Sequence, residues 1–243
     1  MKVLGIIPSR YASTRFPGKP LVDINGKTMI QRVYEQCKKA DVLSEVVVAT
    51  DDVRIFEHIN SFDGKVVMTA SSHESGTDRC AEVVEKIEAN FEVVINIQGD
   101  EPFINPEQIN QLCACFEDEQ TDIATLVKKI DNEQELFNPN RPKVDIDANY
   151  FAKMFSRSAI PQLKHIEKSA WLNHQTFFKH IGIYGYRTSV LKKISQLSPS
   201  PLEIEERLEQ LRWLENGYKI KVASTQYEAI AIDTPEDLAQ LKG

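Results

Sequence analysis

The sequence lacks any block of five or more consecutive basic residues, and none of its apolar runs approaches the ~20 residues of a membrane-spanning helix. Its 29 Lys and Arg are outnumbered by 36 Asp and Glu, which gives a formal charge of −7 over 243 residues. These features argue against nucleic acid and a membrane as the main partners. They do not exclude a small anionic ligand, because local clusters of cations decide whether such a ligand binds.

Cysteine is also scarce, and its spacing does not indicate a metal site. The two closest cysteines, Cys113 and Cys115, are separated by one residue, which is not a usual zinc spacing, and no second pair accompanies them. We therefore expect reduced, structural thiols. The apolar run at residues 3–7 is too short for the core of a signal peptide and ends at Pro8 and Arg10. We expect a cytoplasmic protein.

Short apolar runs alternate with segments of helical spacing through the first half of the chain. The apolar runs lie at residues 3–7, 45–49, 65–68 and 93–97, and the helical segments at residues 29–37, 53–59, 80–87 and 105–116. This alternation predicts an α/β fold: a mostly parallel open sheet with helices on both faces, which is Rossmann-like. Ligands of such sheets bind beyond the carboxyl ends of the strands.

The alternation is interrupted between about residues 130 and 200. A turn-rich stretch at residues 138–142 precedes two aromatic, strand-like runs at 150–155 and 177–186. A charged helix is predicted from Glu203 to Leu214, then a strand at 219–223 and a last helix after Thr234. We find no internal repeat or linker. The sequence therefore predicts one domain, residues 1–243, with an inserted substrate or dimer lobe at about 130–200.

Three cations follow the first predicted strand within ten residues. They are Arg10, Arg15 and Lys19, and Gly18 lies beside the last of them. Backbone N–H groups and fixed cations in such a loop can hold a triphosphate. No Gly-x4-Gly-Lys-Ser/Thr pattern occurs, so the loop is not a Walker A motif. A solvated basic loop is the alternative interpretation.

Gln98, Gly99 and Asp100 follow the most apolar predicted strand. A carboxylate in this place is suited to hold Mg²⁺ against phosphate oxygens, and the glycine allows close approach of the backbone. An aspartate that merely stabilises a turn is the alternative.

Asp233 precedes the last predicted helix, which Thr234 caps and Pro235 begins. Such an aspartate is usually structural, and it gains functional weight only if folding brings it near Asp100. Two carboxylates with phosphate oxygens and water would then form an octahedral Mg²⁺ site.

A fourth set of residues combines groups that bind sugar acids. Arginine, histidine and tyrosine can bind a carboxylate and hydroxyls, while glutamate and glutamine can accept from and donate to a polyol. The members of this set are Arg157, His180, Tyr184, Glu209 and Gln210. The alternative for His180 and Tyr184 is a core strand whose polar groups are hydrogen-bonded within the protein. The alternative for Glu209 and Gln210 is a solvated helix face. The polar stretch at residues 71–79 either reads a base edge with its backbone or is an ordinary helix N-cap.

Together these segments resemble the 3-deoxy-manno-octulosonate (Kdo) cytidylyltransferase family, the CMP-Kdo synthetases. The matching segments are residues 7–21, 49–51, 73–79, 98–102, 137–140, 155–157, 180–187, 200–203, 208–212 and 233–238. They cover nearly the whole chain in order. The first segment alone is typical of a broader class that includes CMP-sialate synthetases, whereas those beginning at His180 and Leu208 favour the Kdo branch.

The resemblance implies an Mg²⁺-dependent enzyme, a homodimer, that transfers CMP from CTP to the anomeric hydroxyl of Kdo for lipopolysaccharide synthesis. Pyrophosphate is the second product. The implied catalytic residues are Lys19, Arg10, Asp100 and Asp233, of which Asp100 and Asp233 hold the metal. The implied CTP-binding residues are Arg10, Arg15, Lys19, Arg79 and Gln98. The implied sugar-binding residues are Arg157, His180, Tyr184, Glu209 and Gln210.

Two departures from the family pattern bear on the substrate. The family usually has a glycine-containing stretch before the last aspartate, but residues 228–232 contain no glycine, and bulkier side chains there could shift the metal or the sugar pocket. An aromatic residue often follows Ile-Pro in the family, whereas Gln162 follows Pro161 here, which could favour an amino analogue of Kdo. The alternatives are therefore a cytidylyltransferase for 8-amino-Kdo or a sialic-acid-like sugar, and a non-catalytic nucleotide-binding protein.

Overall fold

The computed structural model describes residues 1–12, 15–87, 89–228 and 231–240, and these form two compact units. The first unit comprises the described residues of Met1–Asn110, Gly185–Ser195 and Glu228–Gly243. The second comprises the described residues of Gln111–Tyr184 and Gln196–Tyr227. The second unit overlaps the lobe predicted at about 130–200 and extends beyond it at both ends.

The first part of the chain alternates strands and helices. Its elements are β1 (Val3–Ser9), β2 (Asp23–Ile24), β3 (Lys27–Thr28), α1 (Met29–Cys37), β4 (Glu45–Thr50), α2 (Val53–Asn60), β5 (Val66–Met68), α3 (Gly76–Lys86), β6 (Val93–Asn96) and α4 (Pro106–Ala114). A 3-10 turn at Lys19–Leu21 precedes β2. Helix α4 carries the chain from the first unit into the second.

The remaining elements belong mostly to the second unit. They are β7 (Ile123–Lys129), α5 (Glu133–Leu136), β8 (Lys143–Ile146), β9 (Ala152–Ser156), α6 (Trp171–His174), β10 (Phe178–Arg187), α7 (Thr188–Ile194), α8 (Pro201–Glu206), α9 (Gln210–Glu215), β11 (Ile220–Ser224) and α10 (Pro235–Gln240). Strand β10 returns the chain to the first unit, which also contains α7 and α10.

The first unit contains a parallel sheet in the order β6-β1-β4-β5. Strand β1 lies inside it and pairs with β4 on one side and β6 on the other, so that Ile6 faces both Val47 and Asn96. Its side chains Val3, Leu4, Ile6 and Ile7 are at most 1% exposed, as a strand covered on both faces requires. Helices α1 and α3 pack against this sheet. The α/β fold with a mostly parallel open sheet, predicted from the alternation of apolar runs, is confirmed.

Helix α1 shows why the sequence folds locally as predicted. The Thr28 hydroxyl accepts from the backbone N–H of Gln31 and caps the helix, as threonine commonly does. Ile30, Val33 and Cys37 recur at helical spacing and are fully buried. Burying one such aliphatic side chain stabilises a protein by roughly 1.5–3 kcal/mol.

The second unit is built around β7, which pairs in parallel with β11 and lies beside β10. Strand β8 is antiparallel to both β9 and β10. Neither β7 nor the β2–β3 hairpin was predicted from the sequence.

The prediction of one charged helix from Glu203 to Leu214 is wrong. Helices α8 and α9 are separate, and Arg207 between them adopts the left-handed conformation, with φ 54° and ψ 50°. The guanidinium of Arg157 explains the break, because it donates to the carbonyls of Glu206 and Arg207 at 2.7 and 3.3 Å. In a continuous helix those carbonyls would instead accept from backbone N–H groups.

Candidate functional site

A pocket of about 410 Å³ lies in the first unit, where β1 and β6 end. Five of the predicted site residues line it: Arg10, Arg15, Lys19, Gln98 and Asp100. Because β1 and β6 are adjacent and parallel, the loops that follow them meet at one edge of the sheet. The two motifs predicted to bind a triphosphate and a metal therefore share one pocket.

Lys19 joins the two predicted metal-binding aspartates. Its Nζ lies 2.7 Å from Asp100 Oδ2 and 3.0 Å from Asp233 Oδ1. The Arg15 guanidinium reaches the same Asp233 oxygen at 3.1 Å. We expected a functional role for Asp233 only if folding brings it near Asp100. Their shared contact with Lys19 shows that it does.

Packing at the start of α10 brings Asp233 to this pocket. The backbone N–H of Ile232 donates to the carbonyl of Asp100 at 2.9 Å, and Ile232 is fully buried beside Ile24 and Met29. At the helix start, Asp237 accepts from the backbone N–H groups of Asp233 and Thr234, which is an N-terminal capping arrangement. Residues 229 and 230 of the stretch without glycine lie outside the described residues.

Loop geometry fixes Lys19. Gly18 has φ +73°, which L-residues rarely adopt, and a Cβ there would meet the Tyr11 ring at 3.0 Å. The guanidinium of Arg54 lies 3.3 Å from the centre of the Tyr11 ring, and Arg54 is itself paired with Asp52. Residues 13 and 14 of this loop lie outside the described residues.

Gly99 permits the close approach of the two loops. A Cβ at Gly99 would stand 2.8 Å from the carbonyl oxygen of Pro8, a backbone atom that cannot rotate away. We expect Gly99→Ala to lower the free energy of unfolding by about 1–3 kcal/mol and to reduce activity, because Asp100 moves with the loop.

Gly182→Ala is the matched control for that variant, because a Cβ at Gly182 would meet nothing within 4 Å. Urea denaturation of both variants measures the difference. Equal stability of the two would show that the Pro8 contact does not constrain the loop.

Arg10 and Arg79 supply further positive charge. The Nη2 of Arg10 is buried and has no hydrogen-bond partner among the described residues. Arg79 is almost fully buried, bonded to Thr69 Oγ1 and 3.5 Å from Asp51 Oδ2. Arg79 thus ties the start of α3 to side chains that follow β4 and β5. The stretch at residues 71–79 contains a capping box, in which the side chains of Ser75 and Asp78 each accept a hydrogen bond from the other residue's backbone N–H. This favours the interpretation of the stretch as a helix N-cap.

The chemistry of the aspartate pair fits Mg²⁺. Asp100 and Asp233 both direct carboxylate oxygens at one cationic group, the Lys19 ammonium. Mg²⁺ prefers such hard oxygen donors and is usually bound by one or two carboxylates plus substrate phosphates. No group of three or more His, Cys, Asp and Glu side chains suited to a metal occurs in the described parts of the chain.

The five predicted sugar-binding residues all lie in the second unit, where aromatic rings surround His180. Its ring lies 5.4 Å from the Phe155 ring and 5.2 Å from the Tyr184 ring. Tyr184 in turn meets Trp213 edge to face at 5.1 Å. His180 is partly buried, and desolvation lowers its pKa to about 4, so its imidazole is neutral near pH 7.

We expect His180 to contribute to the loss of stability in acid. The unfolded chain protonates His180 near its ordinary pKa of 6.5, and the folded protein only near 4. The free energy of unfolding therefore falls as pH drops through this window, by roughly 2–3 kcal/mol from this residue. We expect His180→Gln to flatten the dependence between pH 6.5 and 4, and the same change at exposed His174 to leave it unaltered. Chemical denaturation at several pH values measures both, and parallel curves for wild type and His180→Gln would contradict the assignment.

Arg157 is held by backbone oxygens. Besides the carbonyls of Glu206 and Arg207, its guanidinium reaches the carbonyl of Pro139 at 3.2 Å. The Glu206 carboxylate binds the backbone N–H of Arg157 at 2.9 Å. Three of the five guanidinium N–H groups are thus engaged, and the others can still bind a carboxylate.

Glu209 and Gln210 lie at the start of α9, next to Leu208. Gln210 is buried, whereas Glu209 is half-buried, so Gln210 is not on a solvated helix face.

Arg157 and Gln162 line a second pocket of about 530 Å³ in this unit, whose walls include Trp171.

Three residues around the sugar-site candidates were missed in the sequence: Thr125, Lys143 and Glu206. Thr125 and Lys143 are fully buried polar residues within strands, and Lys143 Nζ donates to the carbonyls of Asn138 and Arg157. The only signal was a polar residue inside an apolar run, as with Thr125 between Ala124 and Leu126.

Comparison with known proteins agrees with this geometry. The cytidylyltransferase family model matches residues 4–220. A 3-deoxy-manno-octulosonate cytidylyltransferase from Parabacteroides distasonis is 60% identical over 242 residues, which is 98% of this chain and 96% of that protein. One from Thermodesulfovibrio yellowstonii is 49% identical over 244 residues, covering 98% and 96%.

Among solved structures, a CMP:2-keto-3-deoxy-manno-octonic acid synthetase complexed with CTP has a TM-score of 0.92 and 40% identity. The match covers 100% of this chain and 97% of that one. The chain belongs to the cytidylyltransferases and, within them, to the 3-deoxy-manno-octulosonate cytidylyltransferase family.

Proposed function

We propose that the protein transfers CMP from CTP to the anomeric hydroxyl of Kdo, giving CMP-Kdo and pyrophosphate. The observation that carries this proposal is the Lys19 ammonium between Asp100 and Asp233, in a pocket also lined by Arg10 and Arg15, in a chain of this family. A pocket with several cations and two carboxylates suits a nucleoside triphosphate with its metal.

The reaction needs positioning and charge neutralisation more than a covalent nucleophile. The sugar hydroxyl attacks the α-phosphorus in line and pyrophosphate leaves, so negative charge grows on the phosphoryl and leaving oxygens. Arg10, Arg15 and Lys19 offset that charge, and Gln98 and Arg79 help place the nucleotide. Lys19 is assigned a larger share than Arg15, because the Lys19 side chain is only 14% exposed, whereas that of Arg15 is 66% exposed and is screened more strongly by water.

We propose that Asp100 and Asp233 hold Mg²⁺ when CTP is bound. The metal supplies Lewis-acid stabilisation of phosphate oxygens and eases loss of the hydroxyl proton. Asp100 and Asp233, which here both bind the Lys19 ammonium, would hold the metal, and Lys19 would then be available to bind the phosphates.

The sugar acid is assigned to Arg157, His180, Tyr184, Glu209 and Gln210. Arg157 supplies the cation for its carboxylate, and neutral His180 supplies a hydrogen bond rather than a charge. Glu209 and Gln210 suit hydroxyl groups.

An 8-amino-Kdo substrate is the second candidate, and Gln162 favours it. Gln162 lines the same pocket as Arg157, and its amide oxygen can accept a hydrogen bond from an ammonium group.

Product analysis tests these assignments. We expect ³¹P NMR and mass spectrometry to show CMP-Kdo when CTP and Kdo are incubated with the protein and Mg²⁺. ATP, GTP and UTP serve as nucleotide controls, and 8-amino-Kdo and sialic acid as sugar controls. Product from 8-amino-Kdo alone would favour the second candidate. CTP binding without any product would favour a nucleotide-binding protein.

We also propose a cytoplasmic homodimer acting in lipopolysaccharide synthesis. The four cysteines, all within the described residues, are buried free thiols, which is the usual state of cysteine in a reducing compartment. No helix in the described part of the chain is long and apolar enough to cross a membrane. Sedimentation velocity should give a species of twice the 27.7-kDa chain mass, and a species of single mass would contradict the dimer.

A further inference from the structure

Thr125 lies in the middle of β7, fully buried, and its hydroxyl contacts three groups of β10. Oγ1 is 2.8 Å from the carbonyl oxygen of Ile183 and 3.2 Å from that of Ile181. It is also 2.9 Å from Nε2 of His180. All three groups belong to the second unit, so this contact is internal to one compact body.

Counting protons decides the direction of each hydrogen bond. A threonine hydroxyl has one proton to donate and two lone pairs to accept with. Carbonyl oxygens can only accept, so a hydroxyl that gave its proton to His180 would face the Ile183 oxygen with a lone pair at 2.8 Å. The proton therefore goes to a carbonyl, and the hydroxyl accepts from Nε2–H of His180.

We propose that Thr125 is a positioning residue that fixes His180 as the Nε2–H tautomer and leaves Nδ1 as an acceptor for a hydroxyl of the sugar acid. The role of Nδ1 rests on the function proposed above. No motif in the sequence singles out Thr125, and the residues alone leave open which part of the sugar acid His180 binds.

The surroundings of the ring support this assignment. Phe155 stands edge to face against His180 at an interplanar angle of 85°, and Tyr184 lies at 41°. Packing between two aromatic rings restricts rotation of the imidazole, so the Thr125 contact is kept. Burial separately disfavours the doubly protonated ring, which would present N–H on both sides.

This tautomer determines which functional group of the sugar acid can bind to His180. A lone pair at Nδ1 repels a carboxylate and accepts from a hydroxyl. The sugar carboxylate is therefore left to Arg157, and His180 discriminates in favour of a sugar that has a hydroxyl at its position. A sugar analogue that lacks this hydroxyl would leave Nδ1 without a hydrogen-bond partner in the complex, and its affinity would be lower.

Nitrogen NMR of the full chain without ligand tests the tautomer directly. In protein labelled with ¹⁵N-histidine, long-range ¹H–¹⁵N correlations distinguish a protonated from an unprotonated ring nitrogen, and His180→Gln identifies the signal. We expect protonated Nε2 and unprotonated Nδ1 near pH 7. The reverse pattern would overturn the proposal.

Kinetics of Thr125→Val tests the consequence for the sugar. We expect kcat/KM for Kdo to fall about tenfold, with KM for CTP unchanged, and the ¹⁵N signals of His180 to show a mixture of tautomers. Thr125→Ser keeps the hydroxyl and should restore both readouts.

Thr121→Val is the matched control. Thr121 is equally buried and donates to the carbonyl of Cys115 at 2.8 Å, in the same unit but away from His180. If Thr125→Val and Thr121→Val have the same kcat/KM for Kdo, the role in sugar binding is overturned. Absence of wild-type turnover on every sugar acid would instead contradict the proposed function, while the nitrogen signals would still decide the tautomer.

Discussion

We expect replacement of Asp100 by asparagine to lower kcat by about 10²-fold or more while the protein stays folded. The variant keeps the volume of the side chain but removes the charge that holds Lys19 Nζ at 2.7 Å. It also replaces one of the two proposed anionic Mg²⁺ ligands with a neutral amide oxygen, which binds Mg²⁺ less strongly, so the growing phosphate charge loses stabilisation. Steady-state measurement of pyrophosphate release at saturating CTP and Kdo gives the effect.

Asp131→Asn is the control for Asp100→Asn. Asp131 is 71% exposed and lies 3.5 Å from Lys129, so its loss should change neither kcat nor stability measurably. Thermal unfolding checks that Asp100→Asn is folded. Full activity of a folded Asp100→Asn would rule out the proposed metal and charge role of this carboxylate.

Replacing Lys19 by methionine is expected to lower kcat by about 10²–10³-fold, with a smaller change in KM for CTP. Methionine keeps the length of the side chain, but Asp100 and Asp233 lose the ammonium that lies between them. We assign Lys19 to charge that appears on the phosphate oxygens during transfer, so its loss should raise the barrier more than it weakens ground-state binding.

Lys27→Met provides the comparison for Lys19→Met. Lys27 is 46% exposed and pairs with Glu35 on the surface, so kinetics should be unchanged. A Lys19→Met enzyme with raised KM and normal kcat would demote Lys19 to a substrate-binding residue. Substrate titrations of both variants separate the two outcomes.

The parallel sheet of the first unit could be predicted because its strands are nearly uninterrupted apolar runs. Once parallel strands are predicted, the loops after β1 and β6 must lie at the same edge, and this places Lys19 and Asp100 together. The position of Asp233 could not be predicted in this way. It depends on the hydrogen bond from Ile232 to Asp100 and on burial of Ile232, which involve contacts more than a hundred residues apart in the chain.

The second unit was harder to predict because buried polar groups shape it. Helical spacing continues through residues 203–214, yet the Arg157 guanidinium takes the carbonyls of Glu206 and Arg207 and ends α8. No local pattern reports an acceptor that is satisfied by a side chain some fifty residues away. The hydroxyl of Thr125 is a similar case, because its importance appears only when β10 lies beside β7.

Pyrophosphate release is the measurement that tests the central claim most directly. The protein is incubated with Mg²⁺ and CTP alone, Kdo alone, or both, and with UTP, ATP or GTP in place of CTP. We predict release only when CTP and Kdo are both present, and its loss in Asp100→Asn. Release without Kdo, or CTP binding with no release in the presence of any sugar acid tested, would contradict a cytidylyltransferase acting on this class of sugar.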